Sequence, residues 1–186
     1  MRLFKLLIFL LLLPAVTSCS GRLPASAKYS RYYDFSAIKS YSTFDRNSAF
    51  SEYQNISDAT RNSIELAIEQ ALDSLGYSYQ SSEQADILIS YHLINKSKEL
   101  KKYNRGVSFC RPCLTLSDRD NRQKTWRMQP GSLILDVVSR DSHRSVWRSV
   151  YPLDIKEQDN SFEVQEKIQT VIKHMLTSFP LHASPS

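Results

Sequence analysis

Two stretches of the chain carry apolar residues at the spacing of an α-helix. The first follows Ser57 or Asp58 as an N-cap, and Gly76 stands where a left-handed residue ends a helix. The second opens with Asn160 and Glu163, which have the spacing of a capping box. We therefore predict two helices, each packed against a sheet. Their apolar residues are Ile64, Ala67, Ile68, Ala71, Leu72 and Leu75 in the first, and Val164, Ile168, Val171, Ile172, Met175, Leu176 and Phe179 in the second.

Four intervals outside these two helices have the pattern of β-strands. Residues 38–44 are rich in Tyr and Phe, and residues 86–92 form a mostly apolar run that is typical of a buried strand. Residues 133–138 and 145–151 flank a short polar turn and indicate an antiparallel hairpin. The predicted order is β-α-β, a long polar loop, then β-β-α. This order predicts an α+β fold, in which two helices cover one face of a mixed, largely antiparallel sheet.

The N-terminus has the pattern of a bacterial lipoprotein signal. Arg2 and Lys5 precede the apolar run Leu6–Leu13, and small residues lead into Cys19. The apolar run is about half the length that a membrane-spanning helix needs. A plain secretory signal or a true span would leave Cys19 without a purpose, so we expect this thiol to carry diacylglycerol, and the mature protein fatty acids such as palmitate. Ser20 favours the outer membrane over the inner one, with the protein facing the periplasm.

The signal divides the chain into a leader and one domain. We predict a signal peptide over 1–18, a lipidated tether over 19–28, one α+β domain over 29–180 and a tail over 181–186. The whole chain has a net charge of +5, and the mature part, with 22 basic and 19 acidic residues, has +3. About 150 residues in the domain are enough to bury a core without a metal or several disulfides.

Six segments, taken together, resemble a known family. They are Tyr33–Ser36 leading to Lys39–Tyr41, then Ala71–Tyr77, Ala85–His92, Gly131–Asp136, Ser145–Arg148 and Ser178–Pro180. Their order and spacing are similar to those of bacterial lipoproteins of the DUF4136 family, a domain of unknown function, over roughly residues 30–180. The resemblance implies fold and location and supplies no reaction. Two departures are that Phe44 stands where relatives often have Trp, and that the middle loop contains cysteines and basic residues in place of Gly and Tyr.

The sharpest local motif is the pair Cys110 and Cys113, separated by Arg111 and Pro112. In an oxidising compartment these two thiols can form a local structural disulfide, which is the interpretation that the sequence favours. Free or partner-linked thiols, half of a metal site and a redox-active pair are the alternatives. A thioredoxin-type pair needs a helix at its first cysteine. The following residues, 114–118, lack helical periodicity.

No catalytic motif of a hydrolase, nucleotide-binding or zinc-protease type is present, so we expect no enzyme activity, no cofactor and no metal site. Asp136 and Arg148 lie on the two strands of the predicted hairpin. A three-residue turn would place them opposite each other, and a two-residue turn would not. The expected interaction is a cross-strand ion pair of modest energy.

The loop over 96–131 is the better candidate for a binding function. Residues 96–127 contain ten basic and three acidic side chains, with Tyr103, Phe109 and Trp126 among them. Such a mixture is compatible with nucleic acid, but the secretion signal argues against that partner. Anionic envelope components remain, such as lipid phosphates, peptidoglycan carboxylates or an acidic protein; the alternative is a solvated loop without a partner. The candidate anion-binding residues are Lys98, Lys101, Lys102, Arg105, Arg122 and Lys124.

These observations lead to one expected function and one alternative. The expected function is that of a non-enzymatic lipoprotein of the outer membrane, held through its N-terminal lipid, that binds or scaffolds an envelope component. The alternative is a thiol-redox or metal-handling envelope lipoprotein that uses Cys110 and Cys113. The sequence identifies neither the partner nor the oligomeric state.

Overall fold

The computed structural model describes residues 26–44, 56–107 and 129–181. Within these ranges, six strands form one sheet and three α-helices pack on it, with a short 3-10 helix at Phe35–Ala37. The strands are β1 (Ser26–Tyr29), β2 (Ser40–Thr43), β3 (Ser78–Tyr79), β4 (Ile87–Leu93), β5 (Ser132–Ser139) and β6 (Ser145–Pro152). The helices are α1 (Asp58–Ser74), α2 (Ser97–Gly106) and α3 (Ser161–Leu176).

The sheet is mixed, with the order β1-β6-β5-β4-β2-β3. β4, β5 and β6 pair antiparallel, and β1 pairs antiparallel with β6 at the edge. β2 runs parallel to both β3 and β4. A parallel pair needs a crossover between its strands, and α1 provides that crossover. The predicted α+β class with a mixed, largely antiparallel sheet is confirmed.

Both predicted helices form, and their end signals act as expected. Oγ of Ser57 accepts a hydrogen bond from the backbone N–H of Thr60 at 3.2 Å, and Gly76 has a φ of +87° after the last turn of α1. Asn160 and Glu163 make the reciprocal bonds of a capping box at the start of α3. Leu75 departs from the prediction, because it is the C-cap of α1 and is 37% exposed.

Side chains alternate between the two faces of the sheet, as the pleat requires. The apolar face, defined by Ile89, Leu135 and Trp147 and their neighbours, packs against α1 and α3 to form the large core. The polar face, defined by Ser90, Asp136 and Arg148, lies under α2. A smaller apolar cluster surrounds these three residues, and it contains Ile94, Tyr103, Val107, Ile134, Val138 and Val150.

The predicted helix count and strand order need correction. The part of the loop over 96–131 that the structure describes includes a third helix, α2, which covers the face opposite the two predicted helices. β1 and the two-residue β3 were also missed, and Ser26 and Lys28 of β1 belong to the segment expected to be tether. Among the described residues, no helix combines the length and apolarity needed to cross a bilayer.

Candidate functional site

Four candidate anion-binding residues lie on α2 and share one exposed stripe of it. Lys98, Lys101, Lys102 and Arg105 follow the spacing i, i+3, i+4 and i+7, which brings side chains to the same side of a helix. All four are exposed. We call these four residues the basic stripe. The opposite side of the helix faces the sheet, and there the side chain of Tyr103 is fully buried.

Tyr103 fastens the middle of α2 to the sheet. Its hydroxyl donates to Oδ2 of Asp136 at 2.6 Å, and the same phenol oxygen lies 3.1 Å from Oγ of Ser90. Burial, followed by the negative charge of Asp136, raises the pKa of Tyr103 well above its ordinary value. The phenol therefore stays protonated and remains a donor to the carboxylate.

Asp136 and Arg148 form an ion pair at the centre of the polar face. Nε of Arg148 lies 2.7 Å from Oδ1 of Asp136, and the two side chains are 5% and 0% exposed. The hydroxyl of Ser145 also donates to Oδ1, so Asp136 accepts from a guanidinium, a phenol and a serine hydroxyl. A buried ion pair is stable only when such bonds replace the lost water. The predicted cross-strand ion pair is therefore present and buried, whereas the modest energy expected for it is the value for exposed pairs.

Arg148 also holds the last turn of α2. Its Nη1 donates to Oδ1 of Asn104 at 2.7 Å, and its Nη2 donates to the backbone carbonyl of Val107 at 3.2 Å. Burial alone would lower the pKa of Arg148, but the charge of Asp136, its hydrogen bond and a contribution from Tyr103 together outweigh burial, and the pKa is raised. The guanidinium therefore stays charged and connects the sheet to the helix end.

A β-bulge places Asp136 opposite Arg148. Near the turn Val138 pairs with Ser145, and that register alone would place Asp136 opposite Trp147. Val146 is one extra residue in β6, and it shifts the register by one position beyond this point. A three-residue turn was the condition under which the sequence placed Asp136 opposite Arg148. In the structure the bulge in β6 produces this pairing instead.

His92 lies beside this cluster and stacks on Tyr103. The two ring centroids are 4.7 Å apart with an interplanar angle of 15°. The histidine is fully buried, and neither ring nitrogen has a hydrogen-bond partner among the described residues. Burial, and then the charge of Arg148, lowers the pKa of His92 to about 4, against the partial opposition of Asp136. At neutral pH the imidazole is therefore uncharged and acts as a flat packing surface.

The helices on the two faces of the sheet carry opposite charge. α2 contains four basic residues and one acidic residue, a net charge of +3. α1 contains one basic and four acidic residues, a net charge of −3, and α3 contains two of each. One face of the domain is therefore covered by a cationic helix and the other by a helix pair that is anionic in sum.

A cleft of about 350 Å³ lies at the end of the sheet where β4 begins. Asp86 lines it, but its Oδ2 already accepts from the backbone N–H groups of Lys39 and Ser40 at 2.9 and 2.8 Å. Nη1 of Arg140 donates to the carbonyl of Ala85, and Asp34 caps the 3-10 helix. These polar groups hold turns together. Across the described ranges, no group of three or more His, Cys, Asp or Glu side chains has an arrangement that could hold a metal ion.

The other predicted site residues lie elsewhere. Cys19, Cys110, Cys113, Arg122 and Lys124 lie outside the described residues, so the lipidation site, the cysteine pair and two of the six candidate cations stay predictions. The structure brings the remaining four cations together on α2.

The buried cluster under α2 was missed by the sequence reasoning, although one signal for it exists. Leu100, Tyr103 and Val107 have the spacing i, i+3 and i+7, which indicates a short apolar stripe within the basic segment. Tyr103 is interleaved with basic residues in the sequence, but its side chain is buried and forms no part of the exposed surface of α2.

Comparison with known proteins adds a family to this geometry. The family model for the domain of unknown function DUF4136 matches residues 25–181, which is most of the chain. The chain belongs to the DUF4136 family. The resemblance inferred from the six segments is thereby confirmed. No curated protein matches the chain significantly.

One of three similar solved structures supports the fold. The chain is similar to a DUF4136 family protein from Bacteroides thetaiotaomicron, with a TM-score of 0.59 and 13% identity over 87% of this chain and 97% of that chain. It is also similar to a PDZ domain protein from Parabacteroides distasonis (TM-score 0.45, 12% identity, 84% of this chain and 35% of that one). A PelC dodecamer from Paraburkholderia phytofirmans gives a TM-score of 0.47 at 11% identity, over 86% of this chain and 98% of that chain. The last two likenesses are too distant to support a functional inference.

Proposed function

We propose that this DUF4136 protein is a non-enzymatic lipoprotein of the bacterial outer membrane that faces the periplasm and binds an anionic component of the envelope through α2. The observation that carries the proposal is the basic stripe, four exposed cations on one side of a helix. The lipoprotein pattern that ends at Cys19 supports the location, and it argues against nucleic acid as the partner.

The buried cluster supports a binding role because it gives the basic stripe a fixed position. Tyr103 and Asn104 of α2 both bond to groups of the sheet, so the helix does not depend on its own weak N-terminus. Lys96, the N-cap, makes no side-chain capping bond. A helix of ten residues is marginal without tertiary contacts. Cations on a docked helix lose less conformational freedom on binding than cations on a free loop.

The test of this binding role replaces the basic stripe by Gln at all four positions, in the Cys19→Ala background where no lipid anchor contributes, and measures retention on isolated envelope fractions that keep their phospholipids. The expected result is weaker retention, most clearly at low salt, because surface charge interactions are screened as salt rises. The matched control replaces four exposed cations outside α2, at Arg31, Lys39, Lys156 and Lys173. Equal retention of the two variants would reject the proposal for α2.

The anchor needs a separate test. Labelled palmitate should enter the native polypeptide, and the Cys19→Ala variant should lose both the label and its place in the membrane fraction. A Cys19→Ala variant that fractionates like the native protein would contradict the lipid-anchored location on which the proposal depends.

A further inference from the structure

The position of the tether relative to α2 narrows the choice of anionic partner. The first residue of β1, Ser26, pairs with Val150 of β6. Val150 pairs with Ile134 of β5, and Ile134 pairs with His92 of β4. His92 is next to the last residue of β4, and α2 begins four residues after that strand ends. The chain therefore enters the sheet at the same end from which α2 departs. Three strand spacings separate the two points, about 15 Å.

The length of the segment before β1 sets the distance between the domain and its lipid. Six residues separate Cys19 from Ser26. A fully extended chain of this length spans at most about 25 Å. A domain attached by so short a segment stays within reach of the headgroups of its own leaflet, and the end of the sheet next to α2 is the nearest part.

The charge on the two faces decides which of them turns toward the membrane. Rotation about the short tether brings either the cationic α2 or the anionic pair of α1 and α3 close to the headgroups. The net charge of −3 on α1 opposes an anionic surface, and the net charge of +3 on α2 is attracted to it. A basic segment near an anionic membrane gains affinity with each Lys or Arg, by about fivefold per residue.

We propose that the basic stripe binds the anionic phospholipid headgroups of the leaflet that holds the lipid anchor, so that the domain lies with α2 on the membrane and α1 and α3 away from it. This inference rests on the proposed function and deepens it by naming the partner. It assigns the domain one orientation, in which the surface left for other proteins is formed by α1 and α3.

The test uses the whole lipoprotein, extracted from membranes and reconstituted into vesicles of phosphatidylcholine alone or of phosphatidylcholine mixed with phosphatidylglycerol. The measurement is the rate at which an acylating reagent modifies individual lysines. We expect Lys98 and Lys101 to react at least about fivefold more slowly in the phosphatidylglycerol vesicles. Lys173 on α3 is the internal control, and its rate should be equal in both. The protection should disappear in about 1 M salt, where the Debye length is about 3 Å.

Two of the three contrary outcomes overturn this inference and leave the proposed function standing. Equal rates at Lys98 in the two kinds of vesicle overturn the inference. The proposed function survives that result if the basic stripe is still needed for retention on isolated envelope fractions. Protection of Lys173 in place of Lys98 also overturns it, because the orientation would be reversed. A protein that stays with neither kind of vesicle lacks the anchor, and this result overturns both.

Discussion

The two faces of the sheet are covered by helices of different kinds. On the apolar face, α1 and α3 bury Ile64, Ile68 and Ile172 in a large hydrophobic cluster with the strands, and few side-chain hydrogen bonds join them to the sheet. On the polar face, a single helix rests on a buried ion pair, and its outer side is cationic. Hydrophobic contact stabilises without fixing one orientation, whereas the bonds of Arg148 and Tyr103 are directional. The first face supplies stability, and the second sets the position of a binding surface.

The largest expected effect on stability belongs to the polar face and concerns Asp136. In the Asp136→Ala variant, Arg148 keeps its buried charge without a partner, and we expect the free energy of unfolding to fall by about 3–5 kcal/mol. The measurement is urea unfolding of the native and variant proteins. A double variant, Asp136→Leu with Arg148→Met, removes both charges at similar volume and should be more stable than the single variant. A double variant less stable than Asp136→Ala would contradict this account of the polar face.

A smaller and more local effect is expected at Tyr103. The Tyr103→Phe variant keeps the ring but leaves Asp136 without one of its donors, which costs about 1–3 kcal/mol. Amide hydrogen exchange should accelerate in α2 and remain unchanged in α1 and α3. The matched control is Tyr41→Phe on the apolar face, where the hydroxyl lies 3.4 Å from Oδ1 of Asp73 and the bond is weak. Acceleration spread evenly over all three helices would show that α2 is not held separately.

The smallest expected effect concerns pH and also belongs to the polar face. His92 has an ordinary pKa of 6.5, and in the folded protein, where it faces Arg148, Asp136 and Tyr103, the pKa is lowered to about 4. In this interval the unfolded chain binds more protons, so this histidine makes stability fall as the pH falls. The expected loss is about 1 kcal/mol between about pH 7 and about pH 5.5.

The variant His92→Phe isolates this titration. Phenylalanine keeps a flat ring over Tyr103 and carries no proton, so the loss of stability between pH 7 and pH 5.5 should be smaller by the contribution of the histidine. The check is urea unfolding of both proteins at the two pH values. If the native protein and the variant lose the same stability between the two pH values, His92 is not the cause of the loss.

The apolar face could be predicted from the sequence, since its signals are local. The stripes of α1 and α3, the N-cap Ser57, the turn at Gly76 and the capping box of Asn160 each depend on residues a few positions apart. Helix propensity and periodicity act over the same short distances. These elements were predicted with their boundaries nearly as observed.

The polar face could not be predicted in the same way, because its parts are distant in the chain. The ion pair depends on a bulge at Val146, and no glycine or other local signal marks that residue. α2 has a short apolar stripe among many lysines and no side-chain cap at Lys96, so its stability comes from groups of the sheet rather than from its own sequence. Tertiary contacts of this kind override local propensity.

The central claim is that the buried cluster positions the basic stripe for binding. The variant Tyr103→Ala tests it most directly, because it keeps every cation and the helix propensity of α2 while it removes the side chain that fastens the helix. We predict that, in the Cys19→Ala background, its retention at low salt on isolated envelope fractions falls toward that of the variant without the basic stripe. Retention equal to that of the native protein, with the amides of α2 exchanging freely, would show that the cations bind without a fixed position and would contradict the account.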